Sequence, residues 1–164
     1  MTQKISNTDR YQHTPAEIMA MLQNADYLTE KYTALGDVQF DVVEQTASDG
    51  SYVLKVDREV EANLPDFVKK FKETNAMSQT ESWTADGDGW SATMTIDASP
   101  AKMTGKQVIK PVGDGESDWT VEMEIKVGVP LVGKKIEKVI AEESMKQFGL
   151  EYQFNQQWLA NNSA

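Results

Sequence analysis

No cysteine occurs among the 164 residues, which excludes disulfides, thiolate metal sites, iron–sulfur clusters and cysteine nucleophiles together. There is a single histidine, His13, so a histidine-rich metal centre is excluded as well. No segment approaches the ~18 consecutive apolar residues that a membrane-spanning helix needs. Met1 to Tyr11 is polar and lacks the apolar stretch of a signal peptide. The expectation is a cytoplasmic chain without membrane insertion. Glycine-rich phosphate cradles are missing. Basic side chains are scarce: 16 Lys and Arg stand against 26 Asp and Glu, for a net charge of -10. Such a surface repels phosphate backbones and anionic headgroups, so nucleic acid is not expected as a partner.

What is present fits one folded domain over residues 1–164, with 40% hydrophobic and 26% charged residues, near the globular average. Residues 3–12 alternate weakly and read as an exposed first strand. Thr14 then suits a helix cap, Pro15 the first helical position, and Glu17 stands three residues after Thr14, which completes a capping box. Ile18, Met19 and Leu22 give this helix one apolar face. A second short helix carries Leu28, Tyr32 and Leu35 and should stop at Gly36.

From Asp37 to Val129 the hydrophobic period becomes two, with turn clusters at residues 48–50, 86–89 and 113–115. Tyr52, Leu54, Val56, Arg58 and Val60 share one face, as do Trp90, Ala92, Met94 and Ile96. Trp119, Val121, Met123, Ile125, Val127 and Val129 form the longest inward face. One wet face per strand is the mark of an antiparallel sheet covered on a single side. Residues 64–71 interrupt the strands as a short helical or irregular crossing, because Pro65 forbids a central strand.

After Pro130 the pattern is helical to about residue 160. At 1.5 Å per residue, a helix of that length crosses a sheet of this size. Its expected inward stripe contains Ile136, Val139, Ile140, Leu150, Phe154 and Trp158, together with Glu143 and Gln147. Met145, Phe148, Tyr152 and Leu159 form a second apolar group, which implies either a kink near Gly149 or a homodimer contact through the distal helix.

The element order is therefore strand, two short helices, about six antiparallel strands and one long C-terminal helix, an α+β chain. In this order and spacing, Thr14-Pro15-Ala16-Glu17, Arg58-Glu59-Val60 before Leu64-Pro65, Glu81-Ser82-Trp83, Gly105, Val129-Pro130-Leu131-Val132-Gly133 and Trp158-Leu159 resemble the START-like (SRPBCC) superfamily, and within it a branch described only as a domain of unknown function. The resemblance implies a helix-grip fold, in which a curved antiparallel sheet of about seven strands wraps the C-terminal helix of residues 131–160. It also implies a deep apolar cavity for lipids, sterols or polyketide-like molecules, with a minority of members catalysing cyclisation or hydrolysis.

Several residues compete for a functional role. His13 has no orienting partner near it in sequence, so a solvated loop position explains it. Asp86-Gly87-Asp88-Gly89 lacks the further ligands of a calcium loop and reads as a hairpin turn. Arg58, Glu81, Gln107, Glu143 and Gln147 are polar side chains on apolar inward faces, where an unpaired charge costs several kcal/mol. They are either buried pairs and rim-seeking chains or ligand-orienting groups, and Arg58 is expected to meet Glu143 or Glu81. Met94, Met123 and Trp83 are either core or cavity wall. Three readings follow: a carrier of a hydrophobic small molecule that needs no cofactor or metal, a cyclase or hydratase using Glu143 or Glu81 with Arg58 as oxyanion stabiliser, and a structural domain with a filled core.

Overall fold

The computed structural model describes residues 2–60, 65–69 and 76–162. Seven strands and four helices follow in the order β1 (Gln3–Tyr11), α1 (Pro15–Leu22), α2 (Ala25–Ala34), β2 (Asp37–Ser48), β3 (Ser51–Val60), α3 (Asp66–Lys69), β4 (Ala76–Asp86), β5 (Gly89–Ala98), β6 (Ala101–Pro111), β7 (Ser117–Val127) and α4 (Gly133–Asn162). The strands form one antiparallel sheet in the order β1-β7-β6-β5-β4-β3-β2. Strands β2 to β7 are a meander, and α1 and α2 carry the chain from β1 at one edge to β2 at the other.

The capping box forms as the sequence predicts. Thr14 Oγ1 accepts from the Glu17 backbone N–H at 3.2 Å, and Glu17 Oε1 accepts from the Thr14 backbone N–H at 3.0 Å. Asn24 caps α2 through its Oδ1, which accepts from the Asp26 and Tyr27 N–H groups. After α2, Gly36 takes a φ of 85°, which opens the sharp exit into β2.

The inward strand faces agree with the alternation. Tyr52, Leu54 and Val56 on β3, Ala92, Met94 and Ile96 on β5, and Met123, Ile125 and Val127 on β7 are buried. Of the expected crossing at residues 64–71, Asp66–Lys69 form one helical turn, and Leu64, Lys70 and Phe71 lie outside the described residues.

α4 is one helix of 30 residues that passes Gly149 without a break and packs against β1 and β7. Its inner face differs from the expected stripe. Ile136, Glu137, Ala141, Asn155 and Leu159 are buried, whereas Leu150 is 48% exposed, so Leu150 does not face the sheet. A stripe drawn through the large apolar residues overlooks the small Ala141 and the polar Asn155, which the close approach of helix to sheet selects. Asn155 is held there because its Oδ1 accepts from Tyr27 Oη at 2.6 Å and its Nδ2 donates to Tyr11 Oη at 3.2 Å. The helix start is pinned by Glu137, whose Oε2 accepts from the Val127 N–H at 3.0 Å. Among the described residues no helix is long and apolar enough to cross a membrane.

Gly105 sits on the inward side of β6, in register with Met94 on β5 and Met123 on β7. A Cβ there would collide with the Glu122 carbonyl oxygen and come within 2.9 Å of Met123 Cγ. Backbone cannot yield as a side-chain tip can, so Gly105→Ala is expected to cost about 1–3 kcal/mol. The check is the urea midpoint, and an unchanged midpoint would contradict so close an approach of β6 to β7.

Candidate functional site

The curved sheet and α4 do not close completely on each other. Between them lies a cavity of about 230 Å³. Its apolar wall includes Met77, Met94, Ile96, Met103, Val121 and Met123 from the strands and Ile140 and Phe148 from α4, with Leu22 and Leu35 from the region of α1 and α2. The methionines place unbranched, polarizable side chains around it, a lining that adapts to irregular guests.

A connected polar row crosses the sheet beneath this wall. Arg58 on β3 donates from Nε and Nη2 to the two carboxylate oxygens of Asp37 on β2, at 2.7 and 2.8 Å, and from Nη1 to Gln79 Oε1 at 3.3 Å. Gln79 Nε2 donates to Glu81 Oε2 at 2.9 Å. Glu81 Oε1 accepts from Trp83 Nε1 and from Gln107 Nε2, both at 3.1 Å. Trp119 Nε1 closes the row by donating to Gln107 Oε1 at 2.9 Å. Burial opposes the Arg58 charge, but the hydrogen bonds and charge of Asp37 outweigh it and hold the guanidinium above its ordinary value.

The expected partner of Arg58 is thereby corrected. It is Asp37, not Glu143 or Glu81, and the Asp37 side chain is wholly buried. The cause is a register irregularity between Asp37 and Gln39, where β2 shifts against β3. A period-two reading cannot anticipate a bulge.

Of the other site candidates, Glu81, Met94, Gln107, Met123, Glu143 and Gln147 line the cavity with Arg58. Glu143 is only partly buried and pairs with the exposed Lys146 at 3.2 Å. Trp83 is outside the lining. It is buried in the core among Tyr52, Leu54 and Ala92 and reaches the site through its hydrogen bond to Glu81 and its edge-on contact with the Trp119 ring.

Lys31, Glu151 and Asp9 are among the lining residues that escaped the sequence reading. Lys31 on α2 is buried, with Nζ 3.3 Å from Glu151 Oε1 on α4. Its ammonium lies over the Tyr27 and Tyr32 rings, and Arg58 lies over the Tyr32 ring as well. Burial works against the Lys31 charge, yet Glu151 and the groups around it outweigh that and raise its pKa. A signal existed, since Lys31 falls on the stripe of Tyr27, Leu28 and Tyr32 at helical spacing. Asp9 on β1 is half-buried and its Oδ2 accepts from Asn7 Nδ2 at 2.8 Å. Desolvation holds the Asp9 carboxyl above its ordinary range, the Asn7 bond lowers it, and the nearby charge of Glu151 adds to the rise. Asp9 shares the parity of Ile5 and Tyr11, too weak a pattern to reveal an inward face. Among the described residues no group of three or more His, Asp or Glu side chains is placed to hold a metal ion.

A curved seven-stranded sheet gripping a long C-terminal helix beside a cavity is the helix-grip fold. The fold is shared with the START superfamily protein from Mycobacterium smegmatis, at a TM-score of 0.59 and 12% identity over 95% of this chain and 98% of that one. It is also shared with the Zhui aromatase/cyclase from Streptomyces sp. R1128, at a TM-score of 0.64 and 8% identity over 97% of this chain and 96% of that one. The chain belongs to the family described as protein of unknown function (DUF2505), whose model matches residues 6–159. The uncharacterized protein Rv0481c of Mycobacterium tuberculosis is 28% identical over 106 residues, 61% of this chain, and the match spans only 60% of the length of that relative.

Proposed function

We propose that this chain binds a compact hydrophobic small molecule in the cavity between the sheet and α4. The observation that carries the reading is the cavity itself, an apolar space of about 230 Å³ crossed by one ordered polar row. A domain stabilised only by its own side chains has no cause to leave such a space, because each void forfeits packing energy. The volume is below the ~300–1,000 Å³ usual for drug-sized ligands. A small ring system or a short chain fits it better than a sterol.

The polar groups support binding rather than catalysis at the two carboxylates considered for chemistry. Glu81 already accepts three N–H groups, and Glu143 is engaged with Lys146 at the rim. Arg58, Glu81 and Gln107 then give the sheet side a fixed polar strip against which the guest lies, and Glu143 and Gln147 line the helix side.

Trp119 lines the cavity and reports on its contents. Titration with short-chain acids, alcohols and one- or two-ring aromatics, followed by tryptophan fluorescence and thermal shift, should show saturable binding. Met123→Trp fills the centre of the cavity and should weaken that binding at least about tenfold, as expected when a guest loses its space. No saturation across the panel, or equal binding by the filled variant, would contradict the reading.

A further inference from the structure

Among the described residues two cations face the cavity, Arg58 and Lys31, and each is already matched. Arg58 is held by both oxygens of the wholly buried Asp37, and Lys31 by Glu151. An anionic guest at Arg58 would have to displace Asp37 and leave it buried without its partner, and one at Lys31 would have to compete with Glu151, which is only partly buried. Among the described residues the carboxylates that line the cavity outnumber the cations, and their engagements differ. Glu151 holds Lys31, Glu143 turns to Lys146, and Glu81 is filled by three neutral donors.

Asp9 differs from the other three. It receives one neutral N–H, from Asn7, and among the described residues it makes no ion pair. Desolvation and the charge of Glu151 both work against its ionised form. A carboxylate so placed gains more from an arriving cation than from any neutral group, because the site is partly closed to water and the like charge nearby remains.

Resting on the cavity reading above, we propose that the guest carries a protonated amine that docks on Asp9 from inside the cavity, with its apolar body among Met94, Met123 and Phe148. Three probes with one ring system and different head groups test this: 2-naphthylmethylamine, 2-naphthylmethanol and 2-naphthoate, titrated by calorimetry. The amine should bind about tenfold or more tighter than the alcohol, as a charge-assisted bond requires, and the acid should bind most weakly. Asp9→Asn and Asp9→Ser should each bring the amine down to the affinity of the alcohol.

An amine that binds no better than the alcohol, or an amine preference that survives both substitutions in folded variants, overturns the assignment. In either case saturable binding of the alcohol leaves the cavity reading standing. If none of the three binds, the cavity reading fails and the amine assignment fails with it. Should neither variant fold, the ranking of the three probes on the parent protein decides.

Discussion

Arg58→Ala is expected to destabilise the protein by about 3–5 kcal/mol, the cost of leaving one member of a buried ion pair without the other. The pair joins β3 to β2 by two hydrogen bonds of 2.7 and 2.8 Å, and the Asp37 side chain has no contact with solvent. Truncation strands that carboxylate, removes the donor to Gln79 Oε1 and takes the guanidinium from the Tyr32 ring. For a chain of this length the loss corresponds to a fall in Tm on the order of 10 °C. The double variant Arg58→Met with Asp37→Leu separates the pair's own worth from the cost of breaking it. Replacing both charges by apolar groups of similar size is often neutral, so it should recover more than half of the loss, less the donor that Gln79 still lacks. Chemical denaturation of the three proteins checks both statements. A single variant within about 1 kcal/mol of the parent would mean that Asp37 finds water or another partner when Arg58 is gone.

The order of elements was legible because each element carries its own local signal. Thr14, Pro15 and Glu17 announce α1 through backbone chemistry alone, and the parity of Tyr52 to Val56 or Met123 to Val127 follows from a sheet with one covered face. The rotation of α4 was not legible. Hydrophobic size alone ranks Leu150 above Asn155, whereas the packed helix buries Asn155 because two tyrosine hydroxyls meet it there. The site was legible in its polar inventory and not in its pairing. Arg58, Glu81 and Gln107 stand out as polar side chains on apolar faces, and all three line the cavity. Asp37 does not stand out, since the irregularity after it breaks the alternation by which a strand face is recognised. Lys31 shares the stripe of Tyr27, Leu28 and Tyr32, but nothing local shows that Glu151, 120 positions further along the chain, is brought to it.

Glu81→Ala is expected to cost about 3–5 kcal/mol, as three buried donors lose their acceptor and each such loss costs roughly 1–3 kcal/mol before side chains readjust. The isosteric Glu81→Gln is the sharper test, because the direction of every hydrogen bond in the row is dictated from its ends. Arg58 can only donate, so Gln79 must present its carbonyl to Arg58 and its amide to Glu81. At the other end the Trp119 indole can only donate, so Gln107 must present its carbonyl to Trp119 and its amide to Glu81. Trp83 adds a third N–H. Donors therefore converge on Glu81 from both sides, and only a group with two acceptor oxygens satisfies them all. A glutamine at this position must turn its own amide towards a donor, Gln79 on one side or Trp83 and Gln107 on the other. Neither glutamine can flip in compensation, since its carbonyl is already committed to Arg58 or to Trp119. Glu81→Gln should accordingly lose about 1–3 kcal/mol despite its nearly unchanged shape, with a changed tryptophan emission, as Trp83 donates to Glu81 itself and Trp119 to its partner Gln107. Denaturation followed by tryptophan fluorescence reads both effects. A glutamine variant as stable as the parent would show that the row has no fixed direction and that Glu81 is not where its donors meet.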